Sequence, residues 1–286
     1  QAVSALGFPA DLLAWRNQDA ASALAGLPLA AGGWWFAAGG WVNPSDYCAQ
    51  LLKASGADLH ERTIVAALEP SDRGWTALNT SGQRIAEANI VILANATEAP
   101  RLAAPFSQAL PIRPARGQTT VMPSPPGPAP QTVVCRHGYW TPAIDGRSTC
   151  GASFIVDDIN LGLRAEEQAE NLAMLRNMID APHIDWPDAD AEHLGGKVGL
   201  RPVVPDRLPL VGQLPARETS VIASRSRAAR TRVPGLYVNS GFGARGILFA
   251  TLCAELLASQ ISGEPLPLPK DLVRAIDPMR YAHKKP

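Results

Sequence analysis

The chain has 286 residues, 46% hydrophobic and 18% charged, enough apolar material for one large core or two smaller ones. Lysine plus arginine and aspartate plus glutamate both number 26, so net charge points neither to a nucleic-acid coat nor to a membrane-surface protein, and any basic face must be local. No apolar run approaches the about 20 residues of a bilayer-spanning helix, and Gln1-Ala2-Val3-Ser4 lacks the basic opening and apolar core of a signal peptide, so the expectation is a cytoplasmic protein with no membrane partner.

Residues 1–40 are rich in alanine and leucine, with a short helix expected near residues 20–24. They end in Gly32-Gly33-Trp34-Trp35-Phe36 and Gly39-Gly40-Trp41. Aromatics among glycines can line a cavity, but a core strand bounded by turns is the expectation. Asn43-Pro44-Ser45-Asp46 opens a helix with a capping asparagine and a proline in the first turn; Tyr47, Leu51 and Leu52 share a face, and Gly56 stops it. Residues 63–68, 74–78 and 89–94 read as strands, separated by turns at Asp72-Arg73-Gly74 and Ser81-Gly82. The last is almost continuously aliphatic, the pattern of a strand covered on both faces. It ends in Ala94-Asn95-Ala96, which is either a plain buried strand end or a place where small residues let a ligand approach the backbone.

From Pro111 the texture is antiparallel, with strands near 117–122, 133–136, 139–141 and 150–155. The proline-rich residues 122–130 form a loop, because proline lacks the amide donor a helix or central strand needs. Asp145-Gly146 signals a hairpin. An amphipathic helix over 164–179 places Ala165, Ala169, Leu172, Leu175 and Ile179 on its inner face, and the acidic residues 180–192 follow in solvent.

Arg201 stands between Gly199 and Pro202. A guanidinium on a stiff arm suits bidentate capture of a carboxylate; the alternative is a structural arginine paired with an acid such as Asp206. Arg217, Arg225, Arg227, Arg230 and Arg232 face one acid, Glu218, and make either a solvated loop or a phosphate contact. A strand over 236–239 then runs into Gly241-Phe242-Gly243-Ala244-Arg245-Gly246 and a helix over 247–262, stopped by Gly263. That helix is apolar nearly all round and therefore expected to be buried, while its first amides can attract anionic or electron-rich groups. The Gly-x-Gly-x-x-Gly spacing of Gly241, Gly243 and Gly246 lacks the following strand and acid of a first dinucleotide-binding unit. Cys48, Cys135, Cys150 and Cys253 form no Cys-x-x-Cys pair and read as apolar fillers; the dispersed histidines show no ligand spacing, so no metal is expected.

In order, Gly40-Trp41-Val42-Asn43-Pro44, the 90–96 strand, Pro114-Ala115-Arg116-Gly117-Gln118, Tyr139 and Pro142 with Asp145-Gly146, Gly151-Ala152-Ser153, and then the Arg201 arm and glycine turn resemble the flavin-dependent amine and amino-acid oxidases of the glycine oxidase, sarcosine oxidase and D-amino-acid oxidase type. Gly39-Gly40-Trp41, Gly138-Tyr139, Leu208-Pro209-Leu210-Val211-Gly212, Leu252-Cys253-Ala254-Glu255-Leu256 and Asp277-Pro278-Met279-Arg280-Tyr281 are similar to a tRNA-modifying branch of that family.

The resemblance implies an α/β (mixed α+β) fold: an incomplete FAD-binding Rossmann-like domain from residues 41–100 and 196–286, and a glycine oxidase-like antiparallel-sheet substrate domain from 1–40 and 101–195. It implies FAD, held by Val65, Ala94, Ala96, Arg116, Gly117, Gly241, Phe242, Gly243, Ala244, Arg245, Gly246 and Ile247. Arg201 and Tyr139 would serve catalysis, with Trp140 against the substrate and Arg225, Arg227 and Arg230 against tRNA. The implied reaction removes the carboxymethyl group from carboxymethylaminomethyl-uridine at the tRNA wobble position, beside a methyltransferase domain in cis or in trans. The alternatives are an oxidase of free glycine or sarcosine, and a non-catalytic RNA-binding or scaffold fragment without FAD. Family members open with a strand, a Gly-x-Gly-x-x-Gly turn and a helix that hold the pyrophosphate; residues 1–40 carry none of these, so a chain lacking its first nucleotide-binding unit is expected, with Ala96 where glycine is common.

Overall fold

The computed structural model describes residues 6–108, 110–123, 129–180, 194–217 and 232–282. In chain order the elements are β1 (Ala14–Arg16), α1 (Gln18–Ala25), β2 (Gly33–Trp35), α2 (Pro44–Ser55), β3 (Ala67–Ser71), β4 (Gly74–Leu78), β5 (Arg84–Ala88), β6 (Val91–Leu93) and α3 (Ala99–Ala103). They continue with β7 (Arg113–Pro123), β8 (Val134–Cys135), β9 (Tyr139–Trp140), β10 (Arg147–Gly151), β11 (Ile155–Val156), α4 (Ala165–Arg176), β12 (Gly195–Val203), β13 (Leu210–Pro215), β14 (Arg232–Ser240), α5 (Gly246–Ser262) and α6 (Lys270–Ile276). Two compact units result: Gln1–Ala54, Arg116–Ile155 and Asn160–Gly199, then Ser55–Ala115, Val156–Ile159 and Leu200–Pro286. Residues 41–54 therefore lie in the first unit and 101–115 in the second, the reverse of the expected division.

In the first unit Asn17 caps α1, its Oδ1 accepting the Ala20 N–H at 2.9 Å, and Gly26 ends the helix in the left-handed region. β1 pairs with β2, and Trp15 meets Trp34 edge-on at 5.4 Å. Of the aromatics expected in a core strand, Phe36 and Trp41 are 55% and 42% exposed, while Trp34 and Trp35 are half-buried on β2. The larger sheet runs β11-β7-β10-β9-β8, with β12 also on β7. Asp145 and Gly146 both adopt positive φ in the two-residue turn before β10, and Ile144 and Arg147 exchange hydrogen bonds of 2.8 and 2.9 Å. Trp140, Cys150, Leu172 and Leu175 form the apolar core under this sheet.

The inner face of α4 is rotated from the expected one. Ala169 is exposed, while Glu167, Gln168 and Asn171 are buried beside Leu172 and Leu175. Facing them are alternate residues of β7, Arg116, Gln118 and Thr120, all fully buried.

The second unit holds two three-stranded sheets, the antiparallel β3-β4-β5 and the mixed β13-β14-β6, in which β14 is antiparallel to β13 and parallel to β6. The expected 63–68 strand begins only at Ala67, and β5 has no counterpart in the sequence reading because Arg84-Ile85-Ala86-Glu87-Ala88 lacks aliphatic density. Trp75 fixes β4 under β14, donating from Nε1 to the Pro234 carbonyl at 3.0 Å and meeting Phe106 edge-on at 4.8 Å. Gly235, at φ 67, lies so close to Asn89 that a Cβ would come within 2.4 Å of its carbonyl oxygen.

Two expectations of burial fail here. Ile90, just before β6, and Ile92 on it are 39% and 45% exposed, so β6 is not covered on both faces among the described residues. α5 buries Cys253, Leu256, Leu257 and Ser259 but leaves Leu248 72% exposed. By length and composition the 20 residues Gly243–Ser262, mean hydropathy 1.3, are also apolar enough to cross a membrane, which the sequence reading had denied. The filler reading of the cysteines fits Cys150 and Cys253, whose buried thiols are pushed up to about 12 and about 11 by desolvation. Cys48 and Cys135 are exposed.

Candidate functional site

In the second unit β6 and β14 run parallel in register, Leu93 opposite Val238, so Ala94 and Gly241 leave their strands at the same end. The carboxyl ends of parallel strands are where open α/β sheets admit ligands. The loops are stitched together: the Ser240 hydroxyl donates to the Ala96 carbonyl at 3.2 Å. Ala94 is exposed and Ala96 half-buried, and Ala96 holds φ 52, a left-handed conformation that glycine adopts without strain.

Gly241 and Gly243 have φ 77 and 56. A Cβ on Gly241 would lie 3.3 Å from both the Leu210 nitrogen and Val204 Cγ1. The turn Gly243–Arg245 leads directly into α5, and no side chain caps either helical start. Phe242 and Gly246 are half-buried, and Ala244, Arg245 and Ile247 are exposed. Glycine-lined backbone beside a helix N-terminus gives amide donors and a positive dipole end with no side-chain bulk, a set that fits an electron-rich ring edge able to take negative charge.

Arg201 lies half-buried on β12. Asp206, the acid the sequence offers as its partner, gives both carboxylate oxygens to Arg280: Nε to Oδ2 at 2.7 Å and Nη2 to Oδ1 at 3.1 Å. Burial alone would push the Asp206 carboxyl up, but hydrogen bonds from Arg280, Tyr281 and the Leu208 N–H, with the Arg280 charge, outweigh it and hold it at about 2. Arg245 donates from Nη2 to the Arg207 carbonyl, and its guanidinium lies 5.3 Å from the Phe249 ring centroid. Val65 precedes β3, and its carbonyl accepts from Arg101 Nη2 at 3.2 Å, while Arg101 pairs with Glu98 at 3.0 Å.

In the first unit Arg116 is 0% exposed. Its Nε donates to Glu167 at 2.9 Å, Nη2 to Gln118 Oε1 and the Gly162 carbonyl at 2.7 and 2.9 Å, and Nη1 to the Asn160 carbonyl. Ser153 donates to the other Glu167 oxygen, and Asn171 Nδ2 donates to the Gln118 carbonyl at 3.0 Å. Burial raises the Glu167 pKa, but Ser153, Arg116 and Arg164 together bring it below the usual carboxylate value. The guanidinium expected at a cofactor is thus engaged inside its own unit, and neighbouring Gly117 is buried with it. Trp140 is 1% exposed and donates from Nε1 to Ser148 at 3.0 Å, a core position rather than a substrate wall. Tyr139, pointing to the opposite face of β9, is half-exposed.

Arg225, Arg227 and Arg230 lie outside the described residues. Sequence reasoning missed the Arg280–Asp206 and Arg232–Asp277 pairs, whose partners stand 74 and 45 residues apart. The one local signal was Asp277-Pro278, where Asp277 caps a short turn by accepting the Met279 N–H at 2.8 Å.

A family profile described as DAO, FAD dependent oxidoreductase, matches residues 2–260. The chain is 43% identical over 280 residues to the tRNA 5-methylaminomethyl-2-thiouridine biosynthesis bifunctional protein MnmC of Azoarcus sp. (strain BH72), covering 98% of this chain and 43% of that protein. It is 47% identical over 278 residues to the protein of the same name from Aromatoleum aromaticum, covering 96% and 42%. The chain therefore spans less than half the length of these curated relatives. Among solved structures, glycine oxidase from Geobacillus kaustophilus superposes with a TM-score of 0.73 at 23% identity, over 96% of this chain and 68% of that one, a likeness of fold.

Proposed function

The chain belongs to the DAO family of FAD-dependent oxidoreductases, and from that premise we propose that it is the oxidising domain of a cytoplasmic tRNA-modifying enzyme. It removes the carboxymethyl group from carboxymethylaminomethyl-uridine at the wobble position and leaves an aminomethyl group for a methyltransferase domain. The relatives' names, which print tRNA 5-methylaminomethyl-2-thiouridine biosynthesis and bifunctional, support a role in tRNA modification beside a second activity. The observation in this chain that carries the reading is the glycine turn at the shared carboxyl end of β6 and β14.

FAD, when bound, supplies a two-electron acceptor for oxidation at a carbon–nitrogen bond. Gly241, Phe242, Gly243, Ala244, Gly246 and Ile247 would hold its ring edge, and the α5 N-terminus would favour negative charge there. Ala94 and Ala96 would let the cofactor approach the backbone, and Val65 would serve its adenine end. Arg201 holds the substrate carboxylate as a bidentate pair and so orients the neighbouring C–N bond.

The complete protein, reconstituted with FAD and mixed anaerobically with tRNA bearing the modified uridine, should lose its oxidised-flavin absorbance. Arg201→Met should raise KM about 10- to 100-fold, the loss of a charge-assisted contact. Replacing Arg225, Arg227 and Arg230 by alanine should abolish turnover on tRNA and spare a small N-carboxymethyl amine; equal loss on both substrates sinks the RNA reading. A protein that stays colourless with FAD sinks the catalytic one.

A further inference from the structure

The loop joining β12, which bears Arg201, to β13 is held from two directions. Within it the Leu208 N–H donates to Asp206 Oδ1 at 3.0 Å, the Arg207 N–H donates to the Val204 carbonyl at 3.0 Å, and Arg207 stands at φ 59. From the C-terminal turn Pro278–Tyr281, Arg280 forks onto Asp206 and also donates from Nη2 to the Leu208 carbonyl at 2.9 Å. Its guanidinium lies 4.7 Å from the Tyr281 ring centroid, and its side chain is 14% exposed. From the other side Arg245, within the glycine turn, donates to the Arg207 carbonyl.

The two ends of this loop are what the glycine turn rests on. Gly241 sits against Val204 and Leu210, and Gly243 has Val203 Cγ1 3.7 Å from the place of a Cβ. The C-terminal turn is itself anchored to the start of β14, where Arg232 grips Asp277 at 2.7 and 3.2 Å. An exposed ion pair contributes little to stability. This one is bidentate, mostly buried on the arginine side and adds a carbonyl acceptor, so it fixes geometry.

We infer that the Arg280–Asp206 pair is a latch that sets the position of the glycine turn and the Arg201 arm, making both residues positioning residues for the cofactor and substrate seats. The inference rests on the functional reading for what is seated there, but the mechanical coupling of latch to turn stands on the loop alone.

Hydrogen exchange on the complete protein, with and without FAD, tests it alongside steady-state kinetics on an N-carboxymethyl amine. In Arg280→Gln, amides of residues 204–210 and 241–246 should exchange about tenfold faster or more, while those of 67–88 in the same unit stay unchanged. The FAD Kd and the amine KM should each rise about tenfold, within the reach of an ångström-scale misplacement, and kcat should stay within about twofold. Arg280→Lys, which keeps the charge without the fork, should fall between, and the exchanged pair Asp206→Arg with Arg280→Asp should recover part of the loss. The latch is overturned if 241–246 keep their protection in Arg280→Gln, if 67–88 lose theirs equally, or if FAD Kd and KM stay put while exchange rises. Expected exchange in a protein whose unsubstituted form neither binds FAD nor oxidises the amine supports the coupling and discards the functional reading.

Discussion

Each unit sets an arginine against a carboxylate, but Arg116 and Glu167 are sealed at 0% and 5% side-chain exposure, whereas Arg280 and Asp206 stand at 14% and 33% beside an open group of strand ends. The sealed network ties α4 to β7 and gives its unit one fixed arrangement. The open latch steadies backbone whose amides must stay available. The same residue types therefore serve a scaffold in one place and a seat in the other, and burial decides which.

The comparison breaks most readily at its sealed side. Glu167→Gln leaves Arg116 buried without its counter-charge and should cost about 3–5 kcal/mol of the first unit's stability, read from urea unfolding. A loss below about 1 kcal/mol would mean that the amide and hydroxyl partners carry the network without the ion pair. On the open side, Ala96→Gly should stabilise the second unit by about 1 kcal/mol, since glycine adopts φ 52 without the left-handed penalty. The melting temperature would then rise by about 2–4 °C, and an unchanged or lower value would show that the strand end does not hold this strain.

The smallest effect is expected from acid. Asp206 is depressed to about 2 from the ordinary aspartate value of 3.8, so its stabilisation is fully present above about pH 4 and is lost as pH falls towards 2. Asp206→Asn should remove that part of the acid sensitivity in the 204–210 exchange profile. A variant as acid-sensitive as the parent would assign the transition to other carboxylates.

Features set by neighbouring residues were legible in the sequence. Asp145-Gly146 signals its own turn, Asn43 caps α2 through Ser45 at 3.0 Å, and Gly241 and Gly243 announce positive φ. What failed depended on neighbours far along the chain. Glu167, Gln168 and Asn171 fall outside the inner face that apolar spacing marks on α4, because nothing local says that Arg116 and Gln118 wait opposite. Ile92 and Leu248 read as core, because an aliphatic run carries no mark of how many of its sides are covered. At the site, the glycine turn was legible while the latch was not, since Asp206 and Arg280 become partners only when the C-terminal turn folds back.

The parallel pairing of β6 with β14 bears on the order in which the molecule takes shape. The Ala96 carbonyl finds the Ser240 hydroxyl 144 residues later, and closing so long a circuit makes this sheet a slow, late step. Within this chain the segments of the first unit end at Gly199, whereas β14, the strand that β6 pairs with among those described, comes later still. A chain cut between Gly199 and Arg232 would therefore keep the segments of the first unit that this sequence holds and lose the strand that shapes the glycine turn.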